Sequence, residues 1–196
     1  MRIAVIGAGR VGSALGRRWS ALDHEVVYGV REPGSPRWAE LGAASLSQAA
    51  VDGADVVLVA LPWSAVDEVL TGLRVHDAVV LDATNPRGAL DADGSGGEHV
   101  ARVLGSSRVV KAFNTTGAAN MADPGYPGAT PMMAIAGDDQ RAKEIAATLA
   151  DELGLDPVDA GPLRAARELE HLADLWISLA YQLGNGPDIA FALLRR

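Results

Sequence analysis

The chain has 196 residues, 48% of them hydrophobic, and carries 17 Lys and Arg against 25 Asp and Glu for a formal charge of −8. That length suits one domain with at most a small appendage, and the net negative charge argues against general nucleic-acid binding. The absence of cysteine excludes disulfides, thiolate chemistry and cysteine metal sites together. No apolar run is long enough for a transmembrane segment. The start also lacks the shape of a signal peptide, because glycines stand where the apolar stretch would have to continue. A cytoplasmic protein with no membrane partner is expected.

Met1 to Ile6 (MRIAVI) reads as a strand. It runs into Gly7-Ala8-Gly9-Arg10-Val11-Gly12, and from Ser13 to Leu22 the apolar spacing becomes helical. Strand, glycine turn and helix form the context in which GxGxxG signifies dinucleotide binding. Gly7 permits the tight turn, Gly9 lets the backbone approach a pyrophosphate, and Gly12 lets helix and strand pack closely. The helix N-terminus then offers free N–H groups to phosphate. Since the overall charge repels an anion, such a ligand must be held by local donors.

Glu25 to Val30 (EVVYGV) reads as the second strand, and its end bears on which dinucleotide is held. NAD calls for an acidic residue about 20 residues beyond the glycines. Arg31 comes first in this loop, with Arg37 in reach, and a guanidinium fork suits a 2′-phosphate. The loop therefore reads as NADP-binding, with Glu32 as the residue that would serve NAD. Residues 33–54 hold a Pro/Gly/Ser turn, then a short helical stretch and Ser47 to Val51.

Asp55 to Leu61 (DVVLVAL) reads as a strand covered on both faces. Pro62-Trp63-Ser64 follows, then a helix to about Leu73. Leu61, Pro62 and Trp63 are expected to line the cofactor path, because strand ends border the ligand crevice in open parallel sheets; Trp63 reads equally as a packing residue. Ala78 to Asp82 is the next strand, followed by Asn85 and Pro86 at its end. Residues 87–97 read as a mobile loop, and Asp91, Asp93 and Glu98 as a solvated charge cluster. Glu98 to Leu104 reads as a helix and Arg108 to Ala112 as a strand. The latter ends in Phe113-Asn114-Thr115-Thr116-Gly117, a third polar cluster at a third strand end.

Met121 to Ala129 reads as a loop, Pro131 to Ala136 and Pro157 to Asp159 as short strands, and Asp138 to Leu153 as a helix stopped by Gly154. The longest helical pattern, Pro162 to Leu183, places Leu163, Ala166, Leu169, Leu172, Leu175, Trp176 and Leu179 on one apolar face. Asp188 to Leu194 is expected to form a final short helix. The fold implied is α/β: a Rossmann-like, mostly parallel twisted sheet with helices on both faces, extra short strands and a C-terminal helical segment. Residues 1–160 form the dinucleotide-binding domain. Residues 161–196 are helices packed over the cleft or a dimer interface, and a homodimer is expected.

The segments IGAGRVGSALGRRW, YGVREP, LVALPWSAV, DATNP, VVKAFNTTGAANMADP and DAGPLRAARELEHLADLWISLAY span nearly the whole chain. On these the sequence resembles the NADPH:coenzyme F420 oxidoreductase family, and the cytosolic reductase domain of the STEAP metalloreductases. The resemblance implies that Gly7, Gly9, Arg10, Val11 and Gly12 hold the pyrophosphate. Val30 and Arg31 would hold the adenosine ribose and its 2′-phosphate, and Leu61, Pro62, Asn85 and Asn114 would line the nicotinamide end. It also implies a second, flavin-type ring stacked on the nicotinamide, with Phe113 to Thr116, Leu172 and Trp176 as its cover. FNTTGA departs from the HT-containing version of archaeal deazaflavin enzymes. With no membrane part, no haem is expected.

The implied function is hydride transfer between NADPH and a small-molecule acceptor of deazaflavin (coenzyme F420) or flavin type (FMN or FAD). The cofactors would carry the chemistry while the protein positions the rings. No general acid or base is therefore assigned among the four histidines, and no metal site. Two alternatives stay open: an NADP(H)-binding redox sensor without catalysis, and a reductase of a small imine or carbonyl compound.

Overall fold

A computed structural model describes residues 1–42, 44–88 and 94–196. Its centre is an eight-stranded sheet in the order β3-β2-β1-β4-β5-β6-β7-β8. β1 (Arg2–Ile6), β2 (Glu25–Gly29), β3 (Ala44–Ser45), β4 (Val56–Val59), β5 (Val79–Asp82) and β6 (Val109–Lys111) run parallel. β7 (Met132–Gly137) pairs antiparallel with β6, and β8 (Asp156–Asp159) pairs parallel with β7. The first six strands thus follow the doubly wound order, and the direction of winding reverses between β1 and β4.

Both faces of the sheet are covered, so the central strands are largely apolar. Successive side chains alternate between two cores. Ile3 and Val5 join Leu15, Trp19, Phe113, Met133 and Leu149 under α1 (Arg10–Ala21) and α6 (Gln140–Asp151). Ala4 and Ile6 join Val57, Val66, Leu70, Val100 and Leu163 under α2 (Ser47–Val51), α3 (Val66–Leu70) and α4 (Gly96–Leu104). α5 (Ala118–Ala122) follows β6, and α7 (Ala166–Ile177) continues as a single π turn through Ser178–Gln182. No described helix is long and apolar enough to cross a membrane.

Several expectations change. Residues 188–194 form no helix. Seven residues make a marginal helix alone, and here tertiary partners take the carbonyls: Phe191 O accepts from Met132 N at 2.8 Å, and Ile189 O from Trp176 Nε1 at 2.7 Å. The helix after Trp63 is a 3-10 turn (Trp63–Ala65) and a single α segment that ends at Leu70, ahead of Gly72 at φ +82°. Met121 and Ala122 lie in α5, not in a loop, and β3 adds a two-residue edge strand. Leu175 turns out to solvent, at 50% exposure, while Glu170 and Ala173 take buried places on α7. Of the expected 87–97 loop, residues 89–93 lie outside the described residues, Asp91 and Asp93 among them. Glu98 is no solvated charge: it closes a capping box with Ser95 at the start of α4.

Candidate functional site

β1 ends at the reversal point, and the glycine loop is shaped by its neighbours there. Gly7 has φ +106°, and a Cβ on it would lie 2.4 Å from Ala60 O at the end of β4. A Cβ on Gly12 would lie 1.9 Å from Gly7 O, so this glycine is what lets α1 approach the strand. Gly9 is different: its backbone is ordinary (φ −76°), and a Cβ would meet nothing within 4 Å. No side chain caps α1 at Gly9. The first amides of a twelve-residue helix, Arg10, Val11 and Gly12, are therefore left open in front of an exposed glycine. That is a fit for an anionic diphosphate.

Beside this loop a cavity of about 460 Å³ is lined by Gly7, Gly9, Val30, Arg31, Arg37, Leu61 and Pro62, all anticipated from sequence. Glu32, Trp38, Ser47, Ala60, Ala65 and Val69 line it as well. Arg31 lies 4.0 Å from Glu68 Oε1, with both side chains largely exposed. The Arg37 guanidinium carbon stands 3.9 Å from the centre of the Trp38 ring. Two cations and one carboxylate therefore face the cavity at the end of β2.

The other anticipated residues gather farther along the strand ends. Asn114 Nδ2 donates to Asn85 Oδ1 (3.0 Å) and to Leu169 O on α7 (3.1 Å), and Asn85 Nδ2 donates to Asn114 O (3.1 Å). Both Nδ2 contacts of Asn114 are acceptors, which sets the amide orientation and leaves the buried Asn114 Oδ1 without a partner. Phe113 is bent at φ +58°, a conformation rare for a bulky residue. Its ring is fully buried edge-on to Trp19 at 5.5 Å, so Phe113 belongs to the core and its side chain does not face the cleft. Thr115 and Pro86 are also buried. Trp63 is half-buried and tilts against His99 of α4 at 5.2 Å, and it is not among the residues that line the cavity. Trp176 covers Gly117, where a Cβ would lie 2.7 Å from its ring. Leu172 is half-buried on α7.

Beneath this end lies a buried ion cluster that the sequence reading passed over. Lys111 Nζ is 2.9 Å from Asp82 Oδ2 and 2.9 Å from Glu170 Oε1. Glu170 also accepts from the amides of Gly96 (3.1 Å) and Gly97 (3.2 Å), the first residues of α4. The available signal was a lysine inside the apolar run RVVKA. A lysine on a strand buried on both faces requires counter-charges nearby. Histidines also have partners that were not foreseen: His24 Nε2 with Glu152 (2.9 Å) and His99 Nε2 with Asp67 (2.6 Å). Among the described residues, no group of three His, Cys, Asp or Glu side chains could hold a metal.

Fold and site together define a doubly wound dinucleotide-binding protein. The family of NADP oxidoreductases that depend on coenzyme F420 matches residues 2–86. A candidate F420-dependent NADP-reductase from Arthrobacter sp. FB24 superposes with TM-score 0.87 at 29% identity, covering 100% of both chains. A hypothetical protein from Sinorhizobium meliloti gives TM-score 0.73 at 30% identity, over 100% of this chain and 96% of that one. The metalloreductase STEAP3 of Rattus norvegicus is 27% identical over 176 residues, 86% of this chain, which spans about 36% of that protein's length. The chain belongs to the coenzyme F420-dependent NADP oxidoreductase family.

Proposed function

We propose that the protein is an NADP-dependent oxidoreductase that transfers a hydride between NADPH and a deazaflavin or flavin-type acceptor such as coenzyme F420, FMN or FAD. The observation that carries the reading is the pairing of the open Gly9 cradle with a cavity bearing Arg31 and Arg37. The α1 amides of Arg10, Val11 and Gly12 would hold the diphosphate, and the two arginines the 2′-phosphate of the adenosine ribose. When bound, the nicotinamide supplies or accepts the hydride. The work of this chain's residues is then positioning and exclusion of water. Asn85 and Asn114 would orient the ring end of the dinucleotide, and residues from 161 onward, α7 above all, would cover it. A small-molecule acceptor, a homodimeric state and a cytoplasmic location belong to the same reading.

The test is a titration of purified protein with NADPH, NADH and oxidised coenzyme F420, FMN and FAD, following binding and absorbance. Preference for NADPH with reduction of the deazaflavin or a flavin supports the proposal. NADPH binding without transfer to any of the three overturns the catalytic part. Preference for NADH means that Glu32, not Arg31, reads the ribose.

A further inference from the structure

Trp38 stands on a 3-10 turn, Pro36–Leu41, at the edge of the β2 end. It shares the cavity wall with Arg31, Glu32, Arg37 and Ser47. Arg37 lies over its ring, 3.9 Å from the centre, and no ion pair joins Arg37 to a carboxylate among the described residues. The Trp38 Nε1–H is enclosed and has no acceptor. Arg31, by contrast, leans toward Glu68 on the opposite bank.

A guanidinium flat on an aromatic face keeps its in-plane N–H donors pointing outward. Stacking therefore holds Arg37 in place without consuming the groups that bind an anion. A ribose hydroxyl at this spot would need an acceptor, and Glu32 is one. A phosphomonoester dianion would need donors, and those are Arg31 and Arg37. We propose that Trp38 is the positioning residue that selects a 2′-phosphorylated ribose, acting through Arg37. The proposal rests on the NADP reading given above.

The experiment is calorimetric titration of the intact protein with 2′,5′-ADP and with 5′-AMP, using wild type, Arg37→Ala, Trp38→Leu, Trp38→Phe and the double variant Arg37→Ala/Trp38→Leu. The expected result is that Trp38→Leu weakens 2′,5′-ADP by about two- to fivefold. Its 5′-AMP affinity should be unchanged. Trp38→Phe, which keeps an aromatic face, should stay closer to wild type. The double variant should bind no more weakly than Arg37→Ala alone, because Trp38 acts through that residue. Equal losses for both ligands, or losses that add in the double variant, overturn the proposal. So does an unchanged 2′,5′-ADP affinity in Trp38→Leu while wild type still prefers 2′,5′-ADP; that outcome leaves the NADP reading intact. A wild type that binds the two ligands equally overturns the NADP reading and this proposal together.

Discussion

Lys111 Nζ lies 2.9 Å from Glu170 Oε1, and the lysine side chain is fully buried while the carboxylate is nearly so. The contact joins β6 to α7. Glu170 also accepts from the first amides of α4, where its charge meets the positive end of that helix. The pair thus seats the last helix on the sheet near the strand ends. Removing one partner leaves a buried charge without compensation. Lys111→Met should destabilise the protein by about 3–5 kcal/mol, leaving Asp82 and Glu170 facing each other. Urea unfolding reads this as a lower midpoint at unchanged slope.

The glycine loop separates structural from ligand-driven glycines. In Gly12→Ala the new methyl meets a carbonyl 1.9 Å away, backbone that cannot yield cheaply. A loss of about 1–3 kcal/mol or more is expected in thermal unfolding. In Gly9→Ala the methyl meets open space at an ordinary backbone angle, so stability should change by about 0.5 kcal/mol or less. NADPH affinity should nevertheless fall by about tenfold or more, since the methyl stands where the diphosphate approaches the amides. Unaltered NADPH binding in Gly9→Ala would remove the diphosphate from this loop.

Tyr28 supplies a pH dependence. Its hydroxyl is enclosed without a hydrogen-bond partner, and burial holds its pKa above 10.0, with Arg17 acting in the opposite sense. The folded state favours the neutral phenol. That contribution is complete below the unfolded value of about 10 and is lost as pH rises through the folded value. Tyr28→Phe should match or slightly exceed wild type at neutral pH, because an unpaired buried hydroxyl is removed. Its advantage should widen above roughly pH 10. Melting temperatures of the two proteins on both sides of that pH check the sign.

The last helix ends in apolar residues turned to solvent: Leu175 at 50% exposure, Tyr181 at 60% and Leu183 at 68%. If a second copy covers them, sedimentation at micromolar concentration should give a dimer. Leu183→Asp should then shift it toward monomer, because an interface core disfavours a charge. Monomeric wild type across that range would refute the dimer.

The sequence by itself determined the central sheet and the dinucleotide cradle, because both are written in local patterns. Buried parallel strands are continuous apolar runs, helices repeat at 3.6 residues, and GxGxxG is a turn and a helix start in six residues. Of the cavity's lining, Gly7, Gly9, Val30, Arg31, Arg37, Leu61 and Pro62 were legible for the same reason, lying in short stretches after β1, β2 and β4, whereas Trp38, Ser47, Ala65 and Val69 were not. Tertiary structure alone decided what depends on partners distant in the chain. Phe113 stands in a polar-looking cluster, yet its ring belongs to the core beside Trp19. Residues 188–194 carry helical spacing, yet their carbonyls are taken by Met132, Trp176 and Asn120. The Lys111–Asp82–Glu170 cluster draws on three segments spread across nearly ninety positions. Periodicity reports which face of an element is apolar; which distant charge or carbonyl completes a buried polar group is settled only when the elements pack.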